Sequence, residues 1–377
     1  MRAQRAGRRP TAADLPVGTR LRNSANPARL EQTPYDVRLS WAVRTLAPET
    51  RHHDMLPGGI GMKSIFWNHQ EVRLRAGWRV LLIVVASGVA STMLGGSGRR
   101  LLTGLLPEVY AALVESLALL LLVAAILWLA ARWLDRRKLA DYGFHLGREW
   151  WLDMAFGLVL GLVLVCGAYA LLLGTGWLRV TETFVSAEGL PFIAAMLADV
   201  LIVVGIAGWE EMVFRGYLVK NVAEGLSGRI LGARWGTVVA VLVPAAFFGW
   251  VHATNENATA VSVVNIAIVG ILFGIAYVLT GELALPLGLH FAWDFTQGFG
   301  FGRSPDPSEL GTFLRVEEGN AEARLWTGWP SGFEGGLVAT ATFSLGLVLI
   351  VAWVRYRRGV VEVQPSLTRA PVRVAAR

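Results

Sequence analysis

Eight apolar stretches, each near the length that a helix needs to cross hydrocarbon, dominate the chain after residue 77. They run over 78–94, 109–129, 154–173, 191–219, 237–253, 261–279, 283–299 and 336–354. A backbone in lipid must satisfy its own polar groups, and a helix does this within a single segment. The fold expected is therefore all-α and polytopic, with about eight transmembrane helices around a central polar cavity. Charged residues supply only 17% of the 377 positions, against about 25% in a typical soluble domain. The fourth stretch is long if its helix passes Arg215, and the seventh is short and interrupted by Pro286. Trp128, Trp133, Trp150, Trp151, Trp177, Trp235 and Trp353 fall near stretch ends, where interfacial anchors belong.

The formal charge of +7 is concentrated at the start: residues 1–62 hold ten Arg against five acidic residues. This segment is Pro- and Ala-rich without helical or strand periodicity, and reads as a disordered leader. Met62 opens a second plausible start, with residues 63–77 as an amphipathic lead-in, and either Met1 or Met62 fits as the first residue. The membrane domain then covers 78–360, and 361–377 forms a basic tail. No basic reading motif for nucleic acid is present. The single cysteine, Cys166, excludes an intrachain disulfide. Short loops on one side of the expected bundle carry sixteen Lys plus Arg against six on the other. The positive-inside rule then puts both termini in the cytoplasm, with Arg99 and Arg100 on the wrong side. Residues 300–334 form the longest loop, a lid or a connector.

Ionisable residues inside apolar runs are costly, which makes each a functional hypothesis. Glu210 and Glu211 sit together, and Arg215 lies four residues after Glu211 in the favourable order for a helical ion pair. Glu210 is rotated by about 100° from Glu211 and need not share that arginine. One carboxylate can then be a charge partner while the other remains available; a purely structural ion pair is the alternative. Phe248 and His252 are four apart, as are His290 and Asp294, so each pair can share a helical face. Asp199 lies on the face of Glu210 and either lines the same cavity or bonds a neighbouring helix. Glu115 falls near the end of its stretch, where it can face water. Gly270 and Gly274 form a close-packing step.

These residue types suit water activation. Burial disfavours an ionised carboxylate and a basic neighbour restores it. Such a group takes a proton from water and returns it to a leaving amine, while histidines orient the water or donate to the oxyanion. There is no Gly-x-Ser-x-Gly elbow, and the lone cysteine has no apparent partner, which argues against a covalent nucleophile. Two histidines and a glutamate also match a catalytic zinc, although no His-Glu-x-x-His run occurs. The expectation is no cofactor, with zinc as the competing mechanism.

Glu210-Glu211-x-x-x-Arg215, Phe248-x-x-x-His252 and His290-x-x-x-Asp294, in that order, resemble the three motifs of the CAAX protease and bacteriocin-processing family. The likeness spans about 141–302 and includes the stretches Asn255-Glu256-Asn257-Ala258-Thr259 and Leu285-Pro286-Leu287-Gly288-Leu289. It implies a mainly eight-helix intramembrane glutamic endopeptidase. Glu210 would activate water and His252 would help to position it. Glu211 and Arg215 would support the site, His290 and position 294 would stabilise the oxyanion, and Phe248 and Asn257 would touch substrate. Asn is frequent at position 294 in that family, whereas a carboxylate donates only when protonated; Asp294 can instead orient His290.

The leading expectation is an inner-membrane endopeptidase of this family acting on a membrane-bound protein or peptide, in contact with the bilayer and not with nucleic acid. A non-catalytic bacteriocin-immunity or scaffolding protein is the rival. A transporter would show paired broken helices in internal repeats, and no repeat is found. The oligomeric state is open.

Overall fold

Seven helices among the described residues are long and apolar enough to cross a membrane. The computed structural model describes residues 63–187, 189–227, 231–255, 257–302 and 310–371. The expected leader over 1–62, Glu256 and the final stretch 372–377 lie outside them. In chain order the helices are α1 (Ala76–Leu105), α2 (Tyr110–Asp135), α3 (Arg148–Gly174), α4 (Phe192–Leu226), α5 (Gly232–Thr254) and α6 (Ala260–Thr280). A shorter α7 (Ala284–Phe295) follows, and then α8 (Leu337–Arg358).

The seventh expected span, 283–299, corresponds to α7 and is not among the seven. It is a helix of 12 residues, prolonged only by a π-type turn over Thr296–Gly300. Even together these reach about 25 Å at 1.5 Å per residue, short of a hydrocarbon core of roughly 30 Å. It packs against α3, α4 and α6 and buries Leu285, Gly288, Leu289, His290, Ala292 and Trp293. An apolar run enclosed by protein looks like a span in sequence because both environments select the same residues. Pro286 falls in its first turn, where the missing N–H breaks no intrahelical bond.

Glycines set the helix spacing around this core. A Cβ on Gly157 of α3 would lie 2.5 Å from Leu285 O, and one on Gly288 of α7 would lie 2.5 Å from Met154 O. The α3 and α7 backbones therefore touch, which fixes the height and rotation of His290. Gly270 and Gly274 of α6 meet Ala245 and Val241 of α5 in the same way, so this pair serves packing.

Two of the connections between apolar stretches, before α4 and before α8, pair with each other. β1 (Leu178–Ser186) runs antiparallel to β2 (Gly311–Glu318), from Leu178 opposite Glu318 to Ser186 opposite Gly311. Segment 300–334 is thus partly strand. Gly311 packs on Ala195 and on the Asp199 carboxylate, which puts Asp199 under the head of β2.

The other end of the bundle is tied by a buried ionic network that the sequence reading missed. Arg79 of α1 bonds Asp135 of α2 and donates to Asn221 (2.7 Å) and Glu224 (2.9 Å) of α4. Arg73 and Arg137 also pair with Glu224, and the Tyr142 hydroxyl donates to Asp135. Beside it the chain after α8 turns back: Arg358 Nη1 donates to Leu279 O (3.1 Å) and Thr280 O (3.0 Å), at the C-terminal end of α6. Gln364 N donates to Val278 O (2.9 Å) and Leu367 is buried, so the start of the expected tail is docked.

The outer face is apolar, with Leu81, Val85, Val89, Leu121, Val159 and Val163 exposed, as lipid contact requires. Trp128, Trp133, Trp151 and Trp235 face outward, whereas Trp150 is buried and donates to Gly143 O (2.9 Å). Arg99 is paired with Glu115 (2.9 Å) and Glu108 (3.3 Å), which offsets the charge that runs against the positive-inside count.

Candidate active site

Glu210 and Glu211 close the regular part of α4, after which the backbone widens to a π-type helix over Met212–Val219. Such widenings are rare and concentrate at functional sites. A similar turn follows Asp294 in α7. The α4 segment carries Arg215 back toward its i−4 carboxylate: Arg215 Nη1 donates to Glu211 Oε1 at 2.7 Å.

The guanidinium of Arg215 is only 2% exposed. Its carbon lies 4.5 Å from the ring centre of Phe248 and 4.9 Å from that of Phe273. Aromatic faces attract a desolvated cation, so Phe248 covers the arginine and forms part of the wall. Phe273 also stacks on His290, with centroids 4.9 Å apart. Arg215 is thereby held dry beside one carboxylate.

His290 joins α7 to α4. Its Nδ1 lies 2.8 Å from Glu211 Oε1, and a proton on Nδ1 is the one that this contact needs. Its Nε2 faces Asp294 Oδ2 at 3.3 Å and Glu210 Oε2 at 3.7 Å. Glu211 Oε1 thus accepts from Arg215 and His290 together, while Glu211 Oε2 is buried without a partner. Glu210 is 7% exposed and forms no hydrogen bond among the described residues. The neighbouring acids are therefore in different states, one held and one available.

His252 sits in the turn His252–Thr254 that ends α5. Its Nδ1 is 2.7 Å from Phe248 O. A carbonyl only accepts, so Nδ1 carries the proton and Nε2 presents a lone pair when the ring is neutral. His252 lies within electrostatic reach of Glu210, as do His290 and Asp294. Four helices, α4 to α7, thus contribute to one polar cluster. Asn257 does not join it: it occupies an exposed turn with φ 56°. Asp199 is also apart from it, under β2 as described. No group of three His, Cys, Asp or Glu among the described residues is arranged to hold a metal ion.

One carboxylate near the cluster was not anticipated. Glu334, in the short turn Phe333–Gly335 before α8, accepts from Trp293 Nε1 at 3.2 Å and lies within electrostatic reach of Asp294 and His252. Asn265 of α6 pins the same turn, donating to Glu334 O (2.7 Å) and Gly336 O (2.9 Å). The only signal in sequence was an acid placed among glycines just ahead of the last apolar run.

No curated protein and no solved structure matches the chain. Residues 191–296 match a family model described as Type II CAAX prenyl endopeptidase Rce1-like. The match is narrower than the 141–302 expected, and it begins and ends with the helices that build the cluster. Over 191–296, less than a third of its length, the chain is thus similar to the Rce1-like CAAX prenyl endopeptidase family.

Proposed function

We propose that this chain is an intramembrane endopeptidase that hydrolyses a membrane-associated protein or peptide with water activated by Glu210. The observation that carries the reading is the split between adjacent acids. Glu211 is occupied by Arg215 and His290, whereas Glu210 has no hydrogen-bond donor and faces the imidazoles. A base must be within reach of its water and must not be spent on other donors.

In this mechanism a water lies between Glu210 and the lone pair of His252 Nε2. Glu210 takes one proton as the water oxygen bonds to the scissile carbonyl carbon. The carbonyl oxygen becomes an oxyanion, and a protonated His290 Nε2 donates to it. Asp294, 3.3 Å from that nitrogen, offsets the positive charge of the protonated ring, a task that a carboxylate performs better than donation. The C–N bond then breaks as Glu210 passes its proton to the leaving amine, which restores the carboxylate. Arg215 and Glu211 keep the scaffold neutral and rigid.

The apolar helices place the chain in a bilayer. Within the proposal it resides in a bacterial inner membrane with both termini cytoplasmic. The test is cleavage of membrane-anchored peptides by purified protein in liposomes, with and without a strong chelator. Cleavage that persists with chelator, with no stoichiometric metal by elemental analysis, supports carboxylate chemistry. Loss of cleavage that added zinc restores overturns the metal-free mechanism. No cleavage by folded protein against a broad set of anchored peptides overturns the enzymatic reading.

A further inference from the structure

The charge of the cluster is not balanced on its exposed side. Arg215, its only arginine or lysine, is consumed by Glu211 and sealed between Phe248 and Phe273. Glu210, Asp294 and Glu334 form no ion pair with an arginine or lysine among the described residues; His290 approaches the first two, and His252 lies within electrostatic reach of Glu210 and Glu334. Asp294 is 30% exposed and Glu334 is half-buried. Glu210, nine-tenths buried and without a hydrogen bond, lies, like Glu334, within electrostatic reach of Asp294 and His252.

Glu334 is also held in place. Trp293 Nε1 donates to Gln297 Oε1 (3.0 Å) as well as to Glu334 Oε1 (3.2 Å). The backbone on either side of Glu334 is clamped by Asn265, whose own amide oxygen accepts from Thr340 at 2.7 Å. A fixed carboxylate costs little further ordering when a cation arrives. Neither Trp293 nor Gln297 neutralises it.

We propose that Glu334 is a specificity-determining residue that receives a lysine or arginine side chain of the peptide substrate near the scissile bond. The inference rests on the endopeptidase reading above and narrows it. A substrate presenting a carboxylate to this side would meet Asp294 and Glu334 with like charge, whereas a basic residue offsets both. Selectivity here comes from attraction of one charge and rejection of the other. A charged hydrogen bond of this kind is worth roughly ten- to a hundredfold in kcat/KM.

The test uses the full chain in liposomes and pairs of acylated, internally quenched peptides that differ at a single flanking position, Lys, Gln or Glu. Wild type should prefer Lys over Gln by roughly tenfold or more at one position. Glu334→Gln, which keeps an acceptor for Trp293, should level that preference without loss of thermal stability. Glu334→Arg should favour the Glu peptide. A Lys:Gln ratio that is equal in wild type and Glu334→Gln overturns the proposal. Should wild type cleave no peptide, the enzymatic reading fails, and binding of the same Lys and Gln peptides to Glu210→Gln protein still decides the role of Glu334. Tighter Lys binding that is lost on adding Glu334→Gln supports it, and equal binding refutes it.

Discussion

Glu210 and Glu211 are adjacent in the chain, yet Glu211 accepts from both Arg215 and His290 while Glu210 accepts from neither. A helix turns about 100° per residue, so consecutive side chains enter different surroundings. The division of labour in the proposed mechanism follows from that rotation. It separates a residue that holds the helices together from one that is free to move a proton.

The first consequence concerns Arg215. Replacing it with Met leaves Glu211 and its orphaned Oε2 buried without a permanent counter-charge. The expected loss is about 3–5 kcal/mol of stability, seen as a lower thermal midpoint in detergent or nanodiscs. Little or no change would show that the pair is solvated.

A second prediction separates the ionic network at the far end of the bundle from the chemistry. Arg79 reaches Asp135, Asn221 and Glu224, and no member of that network touches the cluster around Glu210. Arg79→Met should cost about 3–5 kcal/mol through the buried Asp135 carboxylate that it leaves without a cation, while Glu224 keeps Arg73 and Arg137. The protein that remains folded should keep its specific activity, as active-site titration would measure. A fall in kcat at full folding would contradict this separation.

Backbone contact between α3 and α7 makes a third test. Gly288→Leu must displace Met154 or its carbonyl, since even a Cβ would come within 2.5 Å of it. Overpacking of this kind costs about 1–3 kcal/mol and should shift His290 relative to Glu211. Cleavage should fall more than stability does. The control is Gly167→Leu on the same α3, whose added Cβ would meet nothing within 4 Å, and it should leave both unchanged.

The fourth prediction is a pH dependence. Burial pushes the Glu334 carboxyl above the ordinary glutamate range; the Asp294 charge adds to this, and Gln297, Trp293 and His252 oppose it. An acid shifted upward keeps its proton to higher pH, so ionising it costs stability as pH rises from the unfolded value through the folded one. Glu334→Gln should therefore match wild type in acid and be the more stable above that window. Preference for a basic peptide needs the ionised form, so it should fade as pH falls through the raised value. Asn265 packs on this turn from α6 but is neutral. A Lys:Gln ratio that stays flat with pH would contradict the assignment.

Much of the membrane architecture was legible because length and apolarity are local properties. The three spaced motifs stood out for the same reason: charge in an apolar run is visible without knowing its partner. Their convergence was not. The contact of His290 with Glu211 joins positions 79 residues apart, and no periodicity reveals it. The α7 helix was read as a span because enclosure by protein and enclosure by lipid select alike. Arg79, Asp135 and Glu224 are far apart in the chain, and only their meeting makes them a lock. Strands β1 and β2 were hidden in connections whose pairing partner lies 133 residues away, as for Arg315 and Glu182. Glu334 was obscure because a loop acid is usually solvated, and its burial depends on Asn265 and Trp293.

The most direct measurement compares Glu210→Gln with Glu211→Gln in liposomes, reading cleavage and thermal midpoint on the same preparations. General-base loss is worth about 10²–10⁴ in rate. Glu210→Gln should lose cleavage on that scale with its midpoint unchanged, whereas Glu211→Gln should lower the midpoint. A folded Glu210→Gln protein that cleaves at the wild-type rate would contradict the account.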